Sequence, residues 1–325
     1  MKKILLKILS LPILKRLFMH YNAFISREKH VSYGTDFPDR YFYIIGQKES
    51  SGGLWWIVNK VIMHLAYADE KGYIPIVDFK HFWTQYHNKG ELNRVNVWEK
   101  FFFQPANYTL EEISHAKNII LSDKYASPSE KYLMGNTYFY DDKDRQNYFR
   151  NIFNKYIKFS DNTLSYLEGI RKDIIPNEAR VVGVLCRGTD YLLRRPKNHP
   201  IQPNPEEVMQ LTDKTMKEYH CDYVFLATED EDILNQFENH FSKKLLYVKQ
   251  RRVKKKNMND SDYMIDINKQ VNEDKYMMGL NYLSAIYILS KCSCFIGGRT
   301  GGTKGVLLMK GSFEFEYVYN LGFYD

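Results

Sequence analysis

Cysteine is scarce and long uninterrupted apolar runs are missing. Four cysteines (Cys186, Cys221, Cys292 and Cys294) in 325 residues are too few for a disulfide scaffold. Cys292-x-Cys294 lies inside an apolar run, so the thiols read as reduced, those of a cytosolic protein, and imply no zinc site. The segment Met1 to Ala23 falls short of the roughly 20 apolar residues that a spanning helix needs, because Lys7, Pro12, Lys15 and Arg16 interrupt it. It also lacks a small-residue cleavage site, which argues against a secretory signal. What the chain has in quantity excludes disorder: 44% of residues are hydrophobic and 15% aromatic, with 26 Tyr and 20 Phe. Its length suits two packed domains of roughly 150 residues each. The formal charge of +7 points to an acidic partner: a small phosphate ligand, nucleic acid or an anionic membrane.

Residues 1–30 are expected to form an amphipathic helix. Ile4, Leu5, Ile8, Leu9, Ile13, Leu14, Leu17 and Phe18 make its apolar side. Two readings stand: an interfacial helix whose lysines face anionic headgroups, or a terminal helix docked on the protein itself.

Beyond it, Tyr41 to Ile45 is a β-rich run and Gln47 to Gly53 a polar loop. Leu54, Ile57, Val58, Val61, Ile62, Leu65 and Ala66 then form an apolar stripe of helical period, ended by Gly72. With the short strand Tyr73 to Asp78 this is a βαβ unit. Gly52 and Gly53 open the helix, where free N–H groups meet an anion, or alternatively they serve a tight turn. From His81 to Asp161 aromatics dominate. They read as core or as a platform for stacked sugars, with a buried strand at Ile119 to Ser122 and a helix over Tyr148 to Phe159.

A second βα series starts at Arg180. RVVGVLC reads as a central parallel strand ending in Arg187-Gly188-Thr189-Asp190. Ligands of open α/β sheets bind beyond the carboxyl ends of the strands, so Arg187 is placed to grip an anion. A helix over Pro205 to Tyr219 leads to the strand Tyr223 to Ala227, which empties into Thr228-Glu229-Asp230. A further strand covers Leu245 to Val248, and a helix around Tyr282 to Leu289 leads into Cys294-Phe295-Ile296. That strand ends in Gly297 to Thr303, GGRTGGT, followed by an apolar helix. The lysine after Thr303 is out of register for a Walker A loop, and the dinucleotide fingerprint is absent. Such a loop still suits phosphate, through converging N–H groups and the hydroxyls of Thr300 and Thr303; the alternative is a merely tight turn. The fold class is α/β: two α/β halves in series, with a ligand expected in the cleft between them.

The segments Val181 to Asp190, His199-Pro200-Ile201, Phe225 to Asp230 and Leu289 to Thr303 resemble the fucosyltransferases of the α1,6 core and nodulation type and their O-fucosyltransferase relatives. Ser51 to Asp78 looks like that family's N-domain glycine loop and first helix. The resemblance implies a GT-B glycosyltransferase of two Rossmann-like domains facing a cleft, 31–165 on the acceptor side and 166–325 binding the nucleotide sugar. It implies that Arg187 binds the nucleotide pyrophosphate and aids departure of the leaving group, with Thr189 and Asp190 behind it. It further implies that Gly301, Gly302 and Thr303 surround the β-phosphate, and that Glu229 and Asp230 are the family's acidic pair. The family's guanine-reading histidine is Leu185 here, an acidic residue before the glycine loop is Ala285, and its acceptor-base glutamate has no match in Tyr191 to Asn198.

The expected donor-binding set is therefore Gly52, Gly53, Arg187, Thr189, Thr228, Glu229, Asp230, Arg299, Thr300, Gly301, Gly302 and Thr303. Arg187 and Asp190 are the candidate catalytic pair, Asp190 as base or as a turn-bonding residue. No cofactor and no metal are expected: cations and helix N-termini stabilise the leaving diphosphate, and Asp230-Glu231-Asp232 reads as a helix first turn. The run Lys249 to Lys256 is a solvated loop or a contact for an acidic, membrane-bound acceptor. The expectation is an inverting glycosyltransferase using a nucleotide sugar, GDP-fucose first, acting on a glycan or lipid-linked acceptor in surface polysaccharide assembly. It is expected to be cytoplasmic, in peripheral contact with the inner, anionic membrane face, and not to bind nucleic acid. The competing class is a basic nucleic-acid-binding protein with aromatic stacking.

Overall fold

The computed structural model describes residues 29–46, 52–122, 130–135, 138–254, 268 and 273–325. Most of the expected N-terminal helix lies outside these residues, and Lys29 and His30 belong to a strand. Among the described residues no helix is long and apolar enough to cross a membrane.

The N-terminal unit contains β1 (Lys29–Val31), β2 (Asp36–Ile45), α1 (Leu54–Lys71), β3 (Ile74–Val77), α2 (Val97–Phe101) and β4 (Ala116–Leu121). Its sheet has the order β1-β4-β2-β3, with β2 parallel to both neighbours and β1 antiparallel at the edge. The βαβ unit read from the sequence is thus present. Helix α1 stops where expected, because Gly72 adopts φ 68°, a left-handed conformation open to glycine at little cost. Three helices follow: α3 (Tyr138–Asp141), α4 (Lys143–Tyr156) and α5 (Asp161–Ile174). The boundary expected at 165/166 falls inside α5.

The C-terminal unit runs β5 (Val181–Leu185), α6 (Thr189–Arg194), α7 (Pro205–Glu218), β6 (Tyr223–Ala227), α8 (Glu231–Phe241), β7 (Leu245–Leu246), α9 (Lys275–Leu289), β8 (Cys294–Gly298), α10 (Gly301–Met309) and β9 (Phe315–Tyr319). Its strands are all parallel, in the order β7-β6-β5-β8-β9. Parallel strands covered on both faces need continuous apolar sequence, and every residue of β5 and β8 is buried. The architecture is α/β with two Rossmann-like units.

One core joins the units. Trp55, Val58 and Ile62 of α1 share a buried cluster with Phe149 of α4, Leu283 and Ile286 of α9, and Val306 and Leu307 of α10. Contact between α1 and α10 depends on Gly305: a Cβ there would lie 2.5 Å from the Trp55 ring. The far faces of the two sheets carry their own smaller clusters, around Val184 and Phe237 in one unit and Phe42 and Ile119 in the other.

Candidate active-site cleft

A cleft of about 620 Å³ opens between the units. Its C-terminal wall is built from the carboxyl ends of β5, β6 and β8, through Arg187, Thr228, Glu229, Thr300, Gly301 and Gly302. Its N-terminal wall comes from the turn after β2 and the loop after β3, through Gly52, Gly53, Trp56, Gln85 and Tyr86. The structure thus brings together eight of the expected donor-binding residues from four separate segments. This is the position at which open parallel sheets bind ligands.

Arg187 is held from two sides. Its Nε lies 3.4 Å from the Glu229 carboxylate, and its guanidinium lies 4.9 Å from the centre of the Tyr191 ring. The same Glu229 oxygen accepts the Gly188 N–H at 3.0 Å. One carboxylate therefore fixes both the arginine and the turn that carries it. A fixed guanidinium needs little reorganisation to meet an incoming diphosphate.

Two helix N-termini reach the same cleft. Thr300 caps α10, its hydroxyl accepting the Thr303 N–H at 3.1 Å. The first N–H groups of that helix, on Gly301 and Gly302, have no intrahelical partner by geometry. They abut the start of α1: a Cβ on Gly301 would lie 3.5 Å from the Trp56 nitrogen. At α1 the Leu54 N–H is already engaged with the Tyr86 hydroxyl at 2.8 Å, and the Gly52 carbonyl accepts from Gln85 at 2.7 Å. The turn after β2 is thereby braced. Both positive dipole ends, with Arg187, favour an anion at this point.

The glycine-rich loop is shorter than the sequence implies, because Gly297 and Gly298 are part of β8 and α10 begins at Gly301. Packing explains most of its glycines. A Cβ on Gly302 would sit 2.9 Å from Ile286, and one on Gly297 would sit 2.9 Å from Phe295. Gly301 has the loosest surroundings of the four.

Three expected donor-binding residues stand behind the wall. Arg299 is only 5% exposed and pairs with Asp141, its guanidinium 5.3 Å from the Tyr140 ring. Thr303 is fully buried and faces the Thr300 hydroxyl and the Gly298 carbonyl. Asp230, also fully buried, caps α8 by accepting the N–H groups of Asp232 at 2.9 Å and Ile233 at 3.1 Å. Capping geometry pulls these groups away from the cleft. Thr189 and Asp190 start α6, and their side chains lie outside the described residues.

Other cleft residues stand outside the expected donor-binding set. Gln250 and Arg251 line it, Arg251 lying 3.5 Å from Glu273. Arg252 turns inward and donates to the Thr228 carbonyl at 3.2 Å and the Val248 carbonyl at 2.9 Å, while Lys254 pairs with Glu231 at 3.1 Å. So this half of the basic run is partly structural; residues 255–256 lie outside those described. Tyr191, His199 and Tyr282 also face the cleft, and burial pushes the Tyr282 phenol up. Leu185 and Ala285, where the resemblance noted above has a histidine and an acid, both line it. Beneath the wall, burial with Lys60 nearby pushes the Lys304 ammonium down to about 8. The interleaved aromatics between His81 and Asp161 are largely core: Phe101, Phe102, Phe139 and Phe149 are all buried, whereas Phe103 and Tyr148 are exposed. Among the described residues no group of three His, Cys, Asp or Glu side chains is arranged to hold a metal ion.

No family model matches the chain, and no curated protein matches it. Solved structures do. NodZ α-1,6-fucosyltransferase soaked with GDP-fucose is similar at 13% identity and a TM-score of 0.47, over 84% of this chain and 93% of that one. Fucosyltransferase NodZ from Bradyrhizobium is similar at 13% identity and a TM-score of 0.45, over 84% of this chain and 94% of that one. POFUT1 in complex with GDP is similar at 10% identity and a TM-score of 0.46, over 88% of this chain and 99% of that one.

Proposed function

We propose that this chain is a glycosyltransferase that moves a sugar from a nucleoside-diphosphate sugar to a glycan or lipid-linked acceptor, by inversion and without a metal. The observation that carries the reading is the convergence of Arg187 and the N-termini of α1 and α10 on one cleft between two parallel-sheet units. A diphosphate leaving group gains negative charge as the glycosidic bond breaks, and preorganised cations and N–H dipoles act on that charge. Arg187, set by Glu229 and Tyr191, meets the diphosphate, while Gly301 and Gly302 offer backbone donors. The donor is substrate, and no cofactor takes part. GDP-fucose is the first donor to try, on the strength of the sequence resemblance. Leu185 and Ala285 in the cleft make the base an open part of the screen.

The acceptor belongs, in this reading, to surface polysaccharide assembly at the cytoplasmic face of a membrane, approached through the basic N-terminal segment and the Lys249 to Lys256 run. The competing reading is a basic nucleic-acid-binding protein. Thermal shifts with GDP, UDP, CDP and an RNA oligonucleotide separate the two. Stabilisation by a nucleoside diphosphate is expected; stabilisation by RNA alone overturns the enzyme reading. A panel of nucleotide sugars, read as release of nucleoside diphosphate with EDTA present, then identifies the donor and tests metal independence.

A further inference from the structure

We propose that His199 is the general base that takes the proton of the acceptor hydroxyl, with Tyr191 as the positioning residue that orients it. The inference rests on the glycosyltransferase reading above. An acceptor hydroxyl attacking an anomeric carbon must lose its proton to a group within hydrogen-bond reach, and the cleft offers few. Its carboxylates are engaged: Glu229 serves Arg187 and the Gly188 N–H, and Glu273 faces Arg251 at 3.5 Å. His199 is the one imidazole among the described residues that line the cleft, and it is exposed to solvent.

The local structure places this ring. The His199 N–H donates to the Pro196 carbonyl at 3.0 Å, and its own carbonyl accepts the Tyr324 N–H at 3.0 Å. The backbone is thus clamped between its own turn and the C-terminal segment. The Tyr191 hydroxyl lies 3.2 Å from His199 Nδ1, and the two rings meet edge to face at 5.4 Å. With Nδ1–H donating to the phenol oxygen, the basic lone pair lies on Nε2.

Tyr191 touches both groups, its ring centre 4.9 Å from the Arg187 guanidinium and 5.4 Å from the imidazole. An inverting displacement needs base, hydroxyl, anomeric carbon and phosphate roughly in line, with contacts of about 3 Å from base to hydroxyl and about 3 Å from hydroxyl to carbon. In the step, the hydroxyl proton passes to His199 Nε2 and the new bond from oxygen to the anomeric carbon forms. The bond to the β-phosphate oxygen breaks, and its electron pair leaves with the nucleoside diphosphate beside Arg187. The imidazolium then returns its proton to water.

The test compares wild type, His199→Ala, His199→Gln and Tyr191→Phe with the donor found in the nucleotide-sugar screen, with and without sodium azide. Azide is already anionic, so it attacks the anomeric carbon without a base and yields a glycosyl azide and nucleoside diphosphate. The expected result is transfer to the hydroxyl acceptor reduced at least about 100-fold in both His199 variants and about tenfold in Tyr191→Phe. Azide should restore turnover as glycosyl azide, while donor KM stays within about threefold of wild type. Hydroxyl transfer by His199→Ala at the wild-type rate overturns the assignment, as does a lost rate that azide leaves unrestored while GDP or its counterpart still shifts the melting temperature. A wild-type protein that releases nucleoside diphosphate from no donor overturns the underlying reading instead, so the two failures are distinguishable.

Discussion

Of the two glycine-bearing turns that meet across the cleft, each crowds at least one glycine and leaves another open: a Cβ on Gly52 would lie 2.5 Å from the Trp56 ring, whereas one on Gly301 would come no closer than 3.5 Å to a neighbour. A Cβ on Gly53 would meet nothing within 4 Å, whereas Cβ atoms on Gly297, Gly302 and Gly305 would press into Phe295, Ile286 and Trp55. The walls differ in charge as well. The C-terminal wall presents Arg187, Glu229 and Arg251, while the N-terminal wall presents Gly52, Gly53, Trp56, Gln85 and Tyr86. Glycine abundance after β8 therefore reports mainly the close approach of α10 to its neighbours. Anion binding there rests on the helix start and on Arg187.

The largest expected effect lies on the charged wall. Arg187→Ala should lower transfer by about 10²- to 10³-fold, the loss typical of one preorganised donor to a developing anion. Its denaturation midpoint should stay close to wild type, since the residue is partly exposed at the cleft; steady-state kinetics beside a urea titration checks both. Undiminished turnover would remove Arg187 from the diphosphate site.

On the neutral side, His64 of α1 is buried and bonded to the Tyr43 hydroxyl at 2.8 Å. Burial, with Lys60 adding to it, pushes its imidazole down to about 4. Below the ordinary histidine value of about 6.5 the unfolded chain binds a proton that the native chain does not, so stability falls as pH drops from about 6.5 toward 4. The loss amounts to about 3 kcal/mol at most. Urea unfolding at pH 7 and pH 4.5 should show it, and His64→Gln should flatten that part of the curve. An unchanged slope in the variant would assign the pH dependence to other groups.

The glycine comparison itself is tested next. Gly305→Ala should cost about 1–3 kcal/mol through overpacking on Trp55, read from chemical denaturation. Gly53→Leu should change stability by less than about 0.5 kcal/mol, because φ −62° suits any residue and no neighbour is crowded. Its cost should appear as weaker donor binding. Equal destabilisation by the two substitutions would erase the distinction between crowded and open glycines.

Much of the frame was legible because parallel strands and amphipathic helices carry strong periodic patterns. Val181 to Leu185, Tyr223 to Ala227 and the α1 stripe fall where apolar spacing puts them. The place of Arg187 at the cleft was legible for the same reason, since the carboxyl ends of parallel strands are where open sheets form clefts. Side-chain direction was not. Arg299 stands in the same glycine-rich turn as Thr300, yet it turns to Asp141, 158 residues away, and sequence spacing cannot reveal that partner. Arg251 and Arg252 lie in a charge run whose sequence reads as a solvated loop or as an acceptor contact, and spacing alone does not show that one lines the cleft while the other bonds two backbone carbonyls. Strand β9, FEYVY, sets Glu316 and Val318 between aromatics at a sheet edge, a pattern without a strong core signal. His199 was visible only as part of a His-Pro pair; its pairing with Tyr191 needs the turn at Pro196 to bring the rings together.

The most direct test of the central claim is calorimetric titration of wild type and Arg187→Ala with GDP, UDP and CDP. Binding of at least one nucleoside diphosphate by wild type, weakened tenfold or more in Arg187→Ala, is the predicted result. Absence of binding to all three, or binding that the substitution leaves unchanged, would contradict it.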